Sequence, residues 1–251
     1  MNEPQYGWWL PPDVSVHGGE IDFMIIAIHW FMLALFVGWG GFIAYCLVRF
    51  RQRPGHVAVH QPIEARWNRW LEVGVCVAEA VVLIAFAVPV WAKIKNDLPP
   101  QQDALIVRVV GEQFKWLFHY PGRDGKFGTT GPEFYRDDNP AGLDDDDEAG
   151  WDDITVRGFH FPVGRPVIAR LTSKDVIHSF KMPVMRVTQD VVPGMEIQIW
   201  FEAKETGRFQ VGCAQLCGLG HYEMKADLII ESAKDFQQWL DEEHAYLGLD
   251  E

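Results

Sequence analysis

Cys213, Cys217, His221 and Met224 put two thiols, one imidazole and one thioether into twelve residues of chain. A tight turn brings residues four apart to one side, and Gly218 and Gly220 give this stretch the backbone freedom to make one. The four side chains can then converge on a single point. Cys, His and Met together form the soft donor set that selects copper, whereas structural zinc is held by Cys and His and rarely involves Met. A disulfide between Cys213 and Cys217 is permitted outside the cytoplasm, but it leaves His221 and Met224 at ligand spacing by chance. Covalent haem attachment requires Cys-x-x-Cys-His, which this stretch lacks. Cys46 and Cys76 stand alone in apolar segments, where such a residue is a small apolar filler.

Something has to anchor and orient that cluster. The 251 residues are 48% hydrophobic, an ordinary value for a soluble protein, but the apolar residues are unevenly spread. Residues 23–48 contain no Asp, Glu, Lys or Arg, and residues 73–92 contain only Glu79. About 20 apolar residues cross a bilayer, so both runs predict membrane spans, paired as a hairpin over 23–92. Arg49, Arg51, Arg53, Arg66 and Arg69 lie between them, while the segment 1–22 has no Lys or Arg and carries Glu3, Asp13, Glu20 and Asp22. Basic flanks stay on the cytoplasmic side, which puts both termini on the periplasmic side. No basic start with a small-residue cleavage site is visible, so a signal has been removed or the first span itself directs insertion. His29 in that span reads as a helix-contact residue.

After residue 92 the pattern changes to short runs rich in Val, Ile and aromatics. Residues 105–110, 113–120, 165–172, 195–201, 208–212 and 225–231 read as strands, and so many without long helices between them predict a sandwich or barrel over 93–231. Residues 121–153 interrupt it with Gly, Pro and acids, including Asp144, Asp145, Asp146, Asp147 and Glu148. That run is too charged to pack and is expected to be a solvated excursion, with calcium binding as its alternative use. Ser232 and Asp235 make a capping pair ahead of an apolar face of Phe236, Trp239 and Leu240, so a helix over 232–251 closes the chain. The net charge of -13 must fall mostly outside the membrane, because the inner loop is basic. It disfavours nucleic acid and favours either a basic protein partner or simple solubility.

The cysteine stretch resembles the binuclear copper motif of cytochrome c oxidase subunit II, Cys-x-Glu/Gln-x-Cys-x-x-x-His-x-x-Met. So do Asp175-Val176-Ile177-His178-Ser179-Phe180, the run Gln189 to Gly194, the run Gly111 to Trp116 and the hairpin itself. The resemblance implies a membrane α-helical hairpin plus an all-β cupredoxin-like Greek-key domain. Two copper ions would be bridged by Cys213 and Cys217, one completed by His178 and Met224, the other by His221 and the backbone carbonyl of Gln215. It also implies that electrons from cytochrome c, or from a dedicated cytochrome domain, reach the centre near Phe114 and Trp116. They would pass to haem in the haem-copper catalytic subunit, which reduces oxygen within a proton-translocating assembly of further subunits. No residue of this chain would be catalytic.

Three positions qualify that picture. Most family members carry Glu where Gln215 stands, and that carboxylate helps bind magnesium at the boundary with the catalytic subunit; the neutral amide is a poorer magnesium ligand. Asp190 falls at the same boundary, behind the copper ligands. Phe114 occupies the place of the family's electron-accepting tryptophan. Glu72 matches a carboxylate at the entrance of a proton path, and Glu79, seven residues on, lies on the same helical face with no family role. A nitric-oxide reductase would use the same copper motif, whereas a metal-free quinol-oxidase subunit would lack Cys213 and Cys217.

Overall fold

A computed structural model describes residues 10–57 and 66–247, the side chains of Arg66 and Trp67 excepted. Glu3, residues 58–65 of the basic loop and the last four residues of the expected C-terminal helix lie outside the described residues. The chain divides into two units, residues 20–93 and residues 94–251 together with the segment before residue 20.

The first unit is helical. α1 runs Gly18–Arg49, and a second helix runs as α2 (Arg66–Val81), a π turn (Val82–Ala87) and α3 (Val88–Asn96). Their most apolar stretches have mean hydropathies of 2.1 and 2.5, and none of the described residues buries them. Side chains such as Phe36 and Ile84 therefore need a bilayer or another protein as cover. Both helices outrun the apolar runs, because the backbone ladder continues through the polar flanks. The π turn has a local cause. Pro89 offers no N–H to the carbonyl four residues back, and the preceding Val88 N–H reaches instead to Leu83 O, the wider π pattern. An exposed ion pair joins Lys93 to Glu20 at 2.5 Å.

The second unit is a sandwich. Its strands are β1 (Leu105–Glu112), β2 (Lys115–Tyr120), β3 (Ile154–Val156), β4 (Phe159–Pro162), β5 (Val167–Ser173), β6 (His178–Met182), β7 (Val187–Val191), β8 (Ile197–Phe201), β9 (Gly207–Cys213) and β10 (Lys225–Glu231). One five-stranded sheet has the order β3-β2-β1-β5-β8 and the other β4-β10-β9-β6-β7. The β1–β5 and β10–β4 pairs are parallel and the remaining ladders antiparallel. Alternating residues such as Val107, Val109, Leu171 and Phe180 turn inward, giving a core in which Phe118 and Phe159 stack at 4.6 Å beside Phe161 and Phe201. Burying each aromatic contributes about 1.5–3 kcal/mol. α4 (Ala233–Tyr246) is capped by Ser232, whose hydroxyl accepts the Asp235 N–H at 3.1 Å, and it lays Phe236 and Trp239 against the sandwich. Trp239 stacks on His160 at 4.1 Å.

Several expectations shift. The strand expected over 113–120 begins at Lys115, because Gln113 and Phe114 form the turn closed by the Glu112–Lys115 pair, with a cis peptide bond between them. The strand expected over 195–201 begins at Ile197, and β3, β4, β6 and β7 were not expected at all. Residues 121–153 are not a free excursion. The buried Asp153 carboxylate accepts His119 Nε2 at 2.7 Å, Gly128 N at 2.8 Å and Gly122 N at 2.9 Å. Arg108 also reaches across to Gly128 O at 2.9 Å and lies over the Phe127 ring. Even within the acidic run, Asp147 accepts the N–H groups of Thr129 and Ala149. Charge did not prevent packing here, because backbone donors satisfy the carboxylates.

The segment ahead of α1 belongs to the sandwich. Val14 N–H bonds Val184 O, Lys204 N–H bonds Val14 O, Ser15 bridges Ala203, and Asp13 pairs with Lys204.

Candidate metal centre

β6 opens at His178 and β9 closes at Cys213, and their pairing sets Phe180 opposite Cys213. Between β9 and β10 the chain loops out and returns through a short 3-10 turn at His221–Glu223. The loop is closed at its base by Cys213 N–H to Met224 O at 3.1 Å and braced by Ala214 N–H to Ser179 O at 2.9 Å. Three glycines make the room. A side chain at Gly111 would meet the His178 ring at 2.9 Å, and one at Gly220 would enter the Phe114 ring at 2.4 Å. Gly218 has φ +139°, a conformation other residues rarely adopt.

The structure places Cys213, Cys217, His221 and Met224 near one another, and His178 joins them across the β6–β9 ladder. Cys213 and Cys217 are free thiols with sulfurs 3.9 Å apart, well beyond the about 2.05 Å of a disulfide. Cys217 Sγ lies 3.5 Å from His221 Nδ1 and 3.7 Å from Met224 Sδ. Cys213 Sγ lies 4.0 Å from His178 Nδ1 and 3.1 Å from the carbonyl oxygen of Gln215. The donor atoms of His178, Cys213 and Cys217 all fall within 4.8 Å of one another, close enough to share a metal ion. His178, Cys217 and Met224 are buried, so water does not compete strongly for these positions.

Electrostatics and hydrogen bonds orient the ligands. Burial, reinforced by the neighbouring Cys213 thiol, pushes the Cys217 thiol up to about 11, so a metal must displace its proton. Asp175 accepts His178 Nε2–H at 2.8 Å, which leaves the Nδ1 lone pair facing the sulfurs. Partial burial alone would raise the Asp175 carboxyl; donation from Gln113 N–H, His178 and Val176 N–H outweighs it and holds the group below the usual carboxylate range. Gln113 adds a bond from its amide to Cys217 O. Asp175 and Gln113 support the ligands, yet neither was singled out from the sequence, because their partners are ring and backbone atoms that only the fold brings near.

The other candidates lie around or apart from this cluster. Phe114 is half-buried against Gly218 and Gly220. Trp116 is fully buried, its ring edge-on to His178 at 5.9 Å and to Phe180 at 5.3 Å. Asp190 is exposed on β7, paired across from Ser179 next to His178. The Gln215 side chain is exposed. In the helical unit, Glu72 and Asn68 line a groove of about 460 Å³ with Trp39 and Phe42. His29 bonds the Ile25 carbonyl at 2.6 Å, a helix-internal contact.

A two-helix membrane hairpin and a β-sandwich that brings His178, at the start of β6, to a loop carrying two Cys, a His and a Met define the class of membrane-anchored, cupredoxin-like domains. Residues 105–233 match the family model described as cytochrome C oxidase subunit II, periplasmic domain. The alternative cytochrome c oxidase subunit 2 of Bradyrhizobium diazoefficiens is 36% identical over 244 residues, covering 96% of this chain and 86% of that protein. Cytochrome c oxidase subunit 2 of Cereibacter sphaeroides is 30% identical over 218 residues, 80% of this chain and 68% of the relative. The crystal structure of the periplasmic domain of subunit II of cytochrome oxidase from Bradyrhizobium japonicum covers 60% of this chain and 99% of its own, with 26% identity and a TM-score of 0.44. The chain belongs to the cytochrome c oxidase subunit II family.

Proposed function

We propose that this chain is the electron-accepting subunit of a terminal oxidase, taking electrons from cytochrome c at a binuclear copper centre and handing them to haem in the catalytic subunit. The observation that carries the reading is the convergence of six donors, His178, Cys213, the Gln215 carbonyl, Cys217, His221 and Met224, on one loop and one strand end. That set suits copper: the two thiols are placed to bridge, the imidazoles and thioether to complete the coordination, and the soft character disfavours magnesium or calcium. Copper held by Cys213, Cys217, His178, His221, Met224 and the Gln215 carbonyl would supply one-electron redox chemistry.

This chain's own part is to hold the donors still as charge comes and goes. β6 and β9 fix His178 and Cys213 through their ladder, and Asp175 fixes the imidazole. The buried Trp116 packs against His178 from the core side, while the half-buried Phe114 supports the loop from its outer side; these are the aromatics through which electrons would arrive. The exposed Gln215 amide would hold a boundary magnesium weakly or leave it to other ligands, such as Asp190, which β7 sets across from Ser179. Glu72 would receive protons at the cytoplasmic edge. The sandwich and both chain ends would face the periplasm, a placement supported by the bonds that tie residues 14–16 into the sandwich.

The test is copper loading of the full chain in detergent. A mixed-valent two-copper spectrum with two coppers per chain is expected, and Cys217→Ser should abolish it while the circular dichroism of the sandwich persists. An unchanged spectrum and stoichiometry in Cys217→Ser would overturn the assignment.

A further inference from the structure

Gln113 is none of the candidate ligands, yet it touches both segments that carry them. Its amide nitrogen donates to the Cys217 carbonyl at 2.5 Å, and its backbone N–H donates to Asp175 Oδ2 at 2.7 Å. The other oxygen of Asp175 takes the Nε2–H of His178. Cys217 and His178 stand on different parts of the sandwich, the β9–β10 loop and the start of β6, so Gln113 joins two ligand segments that the sequence keeps far apart.

The bond to Cys217 falls where the loop most needs it. The accepting carbonyl belongs to the peptide that leads into Gly218, whose φ of +139° is a conformation that other residues rarely adopt. The Gln113 amide itself would be only 2.7 Å from a side chain at Gly218, and the neighbouring Phe114 ring fills the space under Gly218 and Gly220. Gln113 is itself exposed, and its neighbours hold it in place. It sits in the tight turn between β1 and β2, whose closing residue Glu112 is paired with Lys115 at 3.2 Å and with Lys174 at 2.8 Å. Lys174 precedes Asp175 and donates its own N–H to Gly111 O at 3.0 Å.

We propose that Gln113 is a positioning residue for the metal centre: its side chain pins the Cys217–Gly218 peptide, and its backbone N–H aims Asp175 and thereby the His178 ring. The proposal rests on reading the cluster as a copper site, but the pinning is a property of the chain alone. Because the N–H to Asp175 survives any side-chain change, substitutions isolate the amide bond.

Three full-length variants separate donation from bulk. Gln113→Leu keeps the approximate size and removes the donor, Gln113→Glu keeps the shape and removes the donor, and Gln113→Lys keeps a donor. In metal-free protein, amide hydrogen exchange at residues 218–220 should rise roughly tenfold in the Leu and Glu variants, the scale of one lost hydrogen bond, and stay close to wild type in the Lys variant. In copper-loaded protein the same two variants should release copper faster to a chelator and show altered hyperfine splitting, and the Lys variant should not. Unchanged exchange and unchanged copper release in the Leu and Glu variants would overturn the proposal. So would a uniform loss of sandwich protection in all three, since that marks a purely structural contact. If wild-type chain takes up no copper, the copper reading fails, while the exchange measurement still decides the role of Gln113.

Discussion

Glu112, at the end of β1 and next to Gln113, shows how charge is used around the centre. Partial burial would raise its carboxyl, but hydrogen bonds from Lys174 and Lys115 outweigh that and hold it below its ordinary value of 4.5. The sign follows: the ionised group contributes its full stability above the unfolded value, and the contribution is lost as pH falls through the lower folded one. Metal-free wild type should therefore lose melting temperature faster than Glu112→Gln between roughly pH 5 and pH 3, measured by circular dichroism. Equal slopes would show that the lysines give Glu112 no net preference for the charged form. At this scale the sequence was most readable where chemistry is local. Cys213, Cys217, His221 and Met224 reveal themselves by spacing, since one loop holds them all. His178 lies 35 residues before Cys213 and joins them only through the β6–β9 ladder, so resemblance rather than spacing found it. Asp175 sat inside a quoted motif with no role, because nothing in a sequence states which nitrogen of His178 it meets.

Among the elements, the acidic lobe over 121–153 departs furthest from expectation. Its stability hangs on Asp153, whose carboxylate is inaccessible and satisfies three donors from β2 and the lobe. Asp153→Asn replaces one acceptor oxygen with a donor facing other donors. The expected cost is about 3–5 kcal/mol in chemical denaturation, the range for breaking a buried hydrogen-bonded pair, with new protease cleavage between residues 121 and 153. A variant as stable and as resistant as wild type would show that the lobe is held by other contacts, such as Arg108 with Phe127. The sequence could not distinguish Asp153 from Asp152 or Asp146, since composition marks charge and not the glycine N–H groups waiting for it. Short strands were missed for a related reason. β7 alternates Val187, Gln189 and Val191 with Thr188 and Asp190, a half-exposed pattern too polar to read as sheet, and β3 is only three residues long. The long apolar helices were plain, because twenty residues without charge leave few other interpretations. Their π turn was not, although Pro89 was its visible cause.

At the scale of the whole molecule, charge and membrane geometry frame the exchange with partners. The outer surface carries Asp144, Asp145, Asp146 and Glu148, while Phe114 presents a smaller ring than the family's tryptophan and lacks its indole N–H. On the proposed reading, a donor held by the acidic surface or built into the assembly would be favoured over a freely diffusing one. Asp147 is best left intact because it caps Thr129 and Ala149. Changing the other four acids to their amides should weaken turnover with a basic soluble cytochrome c at low salt, raising KM more than it lowers kcat, and flatten the salt dependence. Identical kinetics at every ionic strength would remove the acidic run from donor choice. If Glu72 receives protons as proposed, Glu72→Gln should slow proton uptake by the reconstituted oxidase while the copper spectrum stays unchanged. Wild-type turnover would leave Glu72 an anchor at the bilayer edge.

The strap ahead of α1 has a further consequence for chain connectivity. Residues 14–16 are stitched between Val184 and residues 202–204, so the chain enters the hairpin from the sandwich and returns to it after α3. A path that leaves and rejoins one folded body must cross the bilayer an even number of times, whatever the charge of its loops. It also makes the hairpin a closed ring, fastened by hydrogen bonds on one side and by the peptide backbone on the other. A single nick in the Arg49–Arg66 connection breaks the covalent ring but leaves residues 14–16 of one fragment bonded to Val184 and residues 202–204 of the other, which gives the halves a built-in means of reassociating.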